Sequence, residues 1–138
     1  MNISARIENQ KGQHIVALRT DGREQSLMIS PKPDGFESSA NGGELLFLAL
    51  ATCYCNELYR EAGKRGIQIE RVQVEVDGEF GGEGEAARNI SYRAAVNAKA
   101  SREEIIDLMR HTDSVAEIQN TLRRSSQIVL AHCEAREV

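Results

Sequence analysis

Three cysteines, Cys53, Cys55 and Cys133, are the residues of this 138-residue chain with the most chemistry to offer. A thiolate is a nucleophile, a metal ligand and a redox centre, whereas a buried protonated thiol is inert. Three is too few for a disulfide scaffold, and no C-x-x-C pair supplies the spacing of a structural zinc site. Cys53 and Cys55 stand two apart, so on a helix they face roughly opposite ways and neither bond each other nor share a metal. Cys53 shares a stripe with Leu46, Ala49, Leu50, Asn56 and Glu57; Cys55 sits with Leu48, Ala51, Leu58 and Tyr59. In such apolar company a cysteine is by default a small hydrophobe. His14, His111 and His132 are scattered without H-x-x-x-H spacing, so no metal is expected. The run Gly81-Gly82-Glu83-Gly84-Glu85 carries two glutamates that would repel a phosphate and no following Lys-Ser/Thr, so it predicts a hairpin loop and no nucleotide or other cofactor.

The elements that must position these residues follow from the hydrophobic pattern. Ile3, Ala5 and Ile7 alternate with polar residues, His14–Leu18 follows a Lys11-Gly12 break, and Asp21-Gly22 marks a tight hairpin with Leu27-Met28-Ile29 continuing as a third strand. Both prolines fall in the loop Ser30–Gly42. Asn41 and Glu44 form a capping box that opens a helix over Glu44–Ala62, ended by Gly63 or Gly66. From Leu45 to Cys55 this helix is apolar all round and must be covered on every side, while Glu57, Arg60, Glu61, Lys64 and Arg65 can emerge into water. Three Tyr, three Phe and no Trp cover a buried helix poorly, which predicts a homodimer whose partner supplies the missing wall.

Val72–Phe80 and Ile90–Ala98 alternate as two long antiparallel strands with one wet face. Ser101-x-x-Glu104 and Ser114-x-x-Glu117 cap two short helices, and Gln127–Ala135 reads as a closing strand. The order β-β-β-α-β-β-α-α-β lacks the alternation of a doubly wound sheet and predicts an α+β fold in a single domain, residues 1–138. A net charge of −4 without a Lys/Arg block removes the electrostatic footprint of a nucleic-acid or anionic-membrane partner. With no signal-like N-terminus and no apolar run near the roughly 18 residues a bilayer span needs, the expectation is a soluble, cytoplasmic protein.

The stretch Ala40-Asn41-Gly42-Gly43-Glu44-Leu45-Leu46-Phe47-Leu48-Ala49-Leu50-Ala51-Thr52-Cys53-Tyr54 resembles the signature of the osmotically inducible protein C and organic hydroperoxide resistance (OsmC/Ohr) family. In that family a Thr-Asn-Pro-Glu loop leads into an apolar, alanine-rich helix with a reactive Cys ten positions after the Glu. Asn120-Thr121-Leu122-Arg123 is similar to the helix after the family's second cysteine motif. The resemblance implies an intertwined homodimer with antiparallel sheets around a buried central helix. It also implies a thiol peroxidase in which one Cys reduces an organic hydroperoxide, a second Cys condenses with the resulting sulfenic acid, and an external thiol reduces the disulfide. A cation, commonly an Arg organised by the loop Glu, holds the thiolate.

Carried over residue by residue, Cys53 matches the attacking cysteine and Asn41 the loop Asn. Gly42 stands where the family has Pro, Gly43 where it has the Glu, and Glu44 falls one position later, about 100° around the helix. Counting back from Asn120 puts the second cysteine near Ala116, so that thiol is missing. Lys11 is the nearest cation to the family's Arg position, without the forked guanidinium geometry, and Arg23 is a more remote candidate. The site expected from sequence is therefore Cys53 with Glu44, Lys11 and Arg23. Its function is either a one-cysteine hydroperoxide reductase served by an external thiol, or a noncatalytic dimer that binds a small apolar molecule.

Overall fold

The computed structural model describes residues 1–138 as five strands and three helices in the order β-β-β-α-β-β-α-α. The chain divides into two compact units, Met1–Leu46 and Phe47–Val138.

In the first unit β1 (Ile3–Gln10), β2 (Gln13–Thr20) and β3 (Arg23–Ser26) form an antiparallel meander in that order. Asp21 and Gly22 both take positive φ, 46° and 81°, the left-handed pair that a two-residue hairpin requires. The third strand is shorter than the sequence predicts. The Leu27 N–H still reaches Val16 O at 3.3 Å, but Met28 and Ile29 belong to no strand. Just beyond them Pro31 has no N–H to give a ladder and Ser30 turns into the proline loop. Only Val16 of this unit is buried; Ile3, Ile7, Leu27 and Met28 are exposed.

α1 (Gly42–Arg65) begins at the predicted box: Asn41 Oδ1 accepts the Glu44 N–H at 2.8 Å and Glu44 Oε1 accepts the Asn41 N–H at 3.0 Å. Gly63 lies within the helix. The stop is Gly66 at φ 67°, where the Gly66 N–H bonds Gly63 O and the Ile67 N–H bonds Ala62 O, closing a Schellman motif.

The second unit lays one face of α1 on a hairpin of β4 (Gln68–Glu79) and β5 (Arg88–Lys99). Tyr54, Leu58, Ala62 and Leu108 make the buried cluster, packed against Val72, Val74, Tyr92, Ala94 and Val96 from the hairpin's inner face. Within one chain the helix keeps an uncovered side, with Leu48 55% and Tyr59 50% exposed, because one hairpin and two short helices cannot surround it. One expectation for α1 is corrected: Glu61, expected in water, is 4% exposed because Lys64, Arg60 and His111 all bond its carboxylate.

Gly78 sits in the register shift between Asp77 and Glu79, and a Cβ there would lie 2.6 Å from Phe47 Cζ and 3.2 Å from Ile90 Cγ1. The G78A variant should lose about 1–3 kcal/mol in urea unfolding, the usual cost of overpacking. An unchanged midpoint would mean that the Phe47 ring moves aside freely.

α2 (Arg102–Val115) has its predicted capping box, Ser101 with Glu104, and α3 (Glu117–Arg123) follows. The second predicted cap is corrected: Ser114 still lies inside α2, where its hydroxyl donates to His111 O at 2.6 Å. The break falls at Ala116, whose extended φ −72°, ψ 114° makes it the α3 N-cap with no side-chain bond. The predicted closing strand, Gln127–Ala135, is also absent. A strand needs an edge to pair with, and neither sheet takes this segment, leaving Ile128 93% exposed. No helix is long and apolar enough to cross a membrane.

Candidate functional site around Cys53

Along α1 the stripe Leu50–Cys53–Glu57–Glu61 faces the α2–α3 segment and is tied to it by polar contacts. The Ile118 N–H points to Cys53 Sγ at 3.5 Å, the Gln119 amide nitrogen donates to Leu50 O at 3.0 Å, and the Arg60 guanidinium donates to Glu117 at 2.8 Å. Leu50 and Gln119 are buried, while Cys53 is half-buried. The break at Ala116 is what aims these backbone groups. The residue in the second-cysteine position is itself fully buried and lies two residues before the N–H that meets the sulfur.

The sulfur's electrostatic company is acidic. Cys53 Sγ and carboxylate oxygens of Glu57 and Glu117 lie within 4.8 Å of one another. Burial pushes the Cys53 thiol above its ordinary 9.0, and the charges of Glu57 and Glu117 push the same way; only the Ile118 and Glu117 backbone N–H groups oppose them. Burial raises Glu57 as well, and its hydrogen bond to Glu117 adds to this. Glu117 is lowered, first by Arg60 and then by Glu57. The two neighbouring carboxyls are thus pushed in opposite directions beside the sulfur. Arg60 also forms a close ion pair with Glu57. A thiolate and two carboxylates are a donor set that suits a divalent cation; in this chain Arg60 is the cation that both carboxyls hold.

Further along the stripe, bonds from Lys64 and Arg60 hold the Glu61 carboxyl down to about 2 against the opposing effect of burial, with His111 assisting. Its ordinary value is 4.5, so the unfolded chain takes up this proton first. The contribution of Glu61 is complete above about pH 4.5 and drains away between 4.5 and 2. Acid unfolding followed by circular dichroism should therefore steepen in that window, and an E61Q protein with the same acid profile would assign the loss to another group.

Glu44 is engaged in capping α1, Lys11 lies in the β1–β2 turn, and Arg23 opens β3. All three belong to the first unit and Cys53 to the second. Cys53, Cys55 and Cys133 are all free thiols, and Cys133 is exposed. Sequence reasoning missed Arg60, Glu117 and Gln119. Glu57, four residues after Cys53, was legible as a neighbour on its stripe, whereas Glu117 is 64 positions away and only the fold brings it close.

Comparison with known proteins identifies the architecture. The chain superposes on an OsmC like protein from Mycoplasma pneumoniae with a TM-score of 0.61 at 20% identity, over 90% of this chain and 87% of that one. An OsmC-like protein of unknown function from Vibrio cholerae gives 0.61 at 16% identity, over 88% and 93%. The organic hydroperoxide resistance protein OhrB of Bacillus subtilis gives 0.52 at 18%, over 88% and 92%. No curated protein matches significantly by sequence. The OsmC-like protein family matches residues 35–131, more than half of the chain and spanning both Cys53 and the α2–α3 segment, and this protein belongs to that OsmC/Ohr-like family.

Proposed function

We propose that this chain is a one-cysteine thiol peroxidase for organic hydroperoxides, working as a cytoplasmic homodimer of one domain, residues 1–138. The observation that carries the reading is the half-buried Cys53 sulfur on α1, meeting the Ile118 N–H beside the second-cysteine position. The Cys53 thiolate attacks the terminal oxygen of R–O–O–H, the O–O bond breaks, and the alkoxide takes a proton to leave as R–OH. Cys53 becomes a sulfenic acid. With no second cysteine at Ala116, an external thiol R′SH condenses with it, releasing water, and a second R′SH restores Cys53 and leaves as R′SSR′. The exposed apolar residues of the first unit and the uncovered Leu48 and Tyr59 support a dimer, since apolar surface left to water gains from a partner that covers it. A monomeric mass at micromolar concentration would remove that part.

Because burial and two carboxyls keep Cys53 protonated, the reaction should be slow at neutral pH and accelerate about tenfold per pH unit from 7 to 9. The test mixes reduced protein with cumene hydroperoxide and a sulfenic-acid trap and maps the adduct by mass spectrometry. An adduct at Cys53, absent from C53S and growing with pH, is expected. Peroxide consumption no faster than by free thiol would sink the enzyme. The roles of Lys11, Arg23 and Glu44 are part of the proposal, tested by the K11A, R23A and E44A variants in the same assay. The acidic surroundings of Cys53 favour a second reading, a noncatalytic OsmC-like dimer that binds a small apolar molecule; it predicts saturable binding with no adduct.

A further inference from the structure

The peroxidase reading leaves Cys53 as a sulfenic acid without the second cysteine that position 116 would supply. Cys55, two positions on, faces away around the helix, and Cys133 is exposed on the segment after α3. The group that meets the sulfur is instead a backbone nitrogen, the part-buried Ile118 N–H at 3.5 Å. That N–H has no other partner to reach. Ile118 is the second residue of α3, so no carbonyl within the helix lies in front of it, and the Ala116 N-cap gives no side-chain bond. On either side of it the chain is tied to α1, by Glu117 to Arg60 at 2.8 Å and by Gln119 to Leu50 O at 3.0 Å. The nitrogen is thereby held against the sulfur.

We propose that Ile118 supplies the resolving nucleophile: the Cys53 sulfenic acid condenses with the Ile118 backbone nitrogen, before external thiol arrives, to a sulfenamide that joins α1 to α3. The S–N bond forms as the S–O bond breaks. The amide proton leaves the nitrogen and the departing oxygen takes it up, so one water is released and no further oxidant is used. Carboxylate oxygens of Glu57 and Glu117, within 4.8 Å of the sulfur, are placed to relay that proton. An amide is a poor nucleophile in water, and position compensates here, because nitrogen and sulfur are already in contact. An external thiolate then attacks the Cys53 sulfur, the S–N bond breaks, and the nitrogen recovers its proton. A second thiol clears the mixed disulfide and restores Cys53. While the sulfenamide stands, the sulfur is kept from the irreversible sulfinic acid that excess peroxide would make. This step rests on the peroxidase reading, since peroxide must first make the sulfenic acid.

The experiment uses the C55S/C133S protein, in which no internal disulfide can form. After one equivalent of cumene hydroperoxide without thiol, the intact chain should be lighter by two hydrogens rather than heavier by one oxygen. A thiol-free tryptic digest should join residues 24–60 to 111–123, and dithiothreitol should separate them. In excess peroxide this protein should keep a thiol that dithiothreitol recovers. Adding I118P, whose proline stands in the first turn of α3 and has no N–H, should abolish the join and let Cys53 pass to sulfinic acid. The mass and the joined peptides need no change at Ile118, so they decide alone if I118P does not fold. A parallel sample with a sulfenic-acid trap present throughout separates the two failures. A trap adduct at Cys53 with no joined peptides in the trap-free sample overturns the sulfenamide and leaves the peroxidase standing. Neither adduct nor join overturns both, and a join undiminished in I118P overturns the assignment to this nitrogen.

Discussion

The A116C variant is expected to form an internal disulfide with Cys53 and to turn a one-cysteine chain into a two-cysteine one. Ala116 is fully buried and extended, and the next residue but one puts its N–H 3.5 Å from the Cys53 sulfur. A side chain at position 116 therefore starts close to the thiol it must reach, as the narrow geometry of a disulfide demands. The bridge closes a loop of more than sixty residues, which the chain-entropy account values at about 4 kcal/mol. Oxidised A116C should melt on the order of 10 °C above its own reduced form. The reduced variant should melt slightly below wild type, because one sulfur is added to a filled site. After peroxide, its Cys53 sulfenic acid should condense with the introduced thiol and release water faster than external thiol can act. Mass spectrometry of the non-reduced digest decides: two free thiols at positions 53 and 116 after oxidation would show that α3 does not bring them into register.

That experiment rests on a position found by counting residues, and it marks how far the sequence carries. The capping boxes at Asn41/Glu44 and Ser101/Glu104, the Asp21-Gly22 hairpin and the alternation of Val72, Val74 and Val76 were legible because each is a local pattern with a local cause. Elements that depend on distant partners were not. Gln127–Ala135 has the composition of a strand but no edge in its own chain, and Ser114 has the type of a cap but lies inside a helix that runs on to Val115. At the site, Cys53 and its stripe could be read from helical spacing. The charge around the sulfur could not, because Glu117 arrives through tertiary packing and Glu61 is buried only because Arg60, Lys64 and His111, from two helices, meet it.

The acidic company of Cys53 makes a sharper prediction about its reactivity, and it is a prediction of non-additivity. Carboxylate oxygens of Glu57 and Glu117 lie within 4.8 Å of the sulfur and of each other, and the charge of each pushes the thiol up. Each single variant, E57Q or E117Q, should therefore alkylate Cys53 with iodoacetamide at pH 7 faster than wild type. Because both carboxyls also hold Arg60, the three charges form one group and the single effects should not simply multiply. The double variant removes both carboxyls and leaves Arg60, until then bonded to Glu117 at 2.8 Å, with Glu61 alone. A fall of one unit in the thiol pKa is about 1.4 kcal/mol and tenfold more thiolate. The lower nucleophilicity of the more acidic thiolate takes back part of that gain. E57Q/E117Q should thus react severalfold faster than either single variant, with the midpoint of its pH–rate curve displaced downward. Single effects that multiply to give the double would mean that the carboxyls titrate independently, and an unchanged double would mean that burial alone sets the thiol.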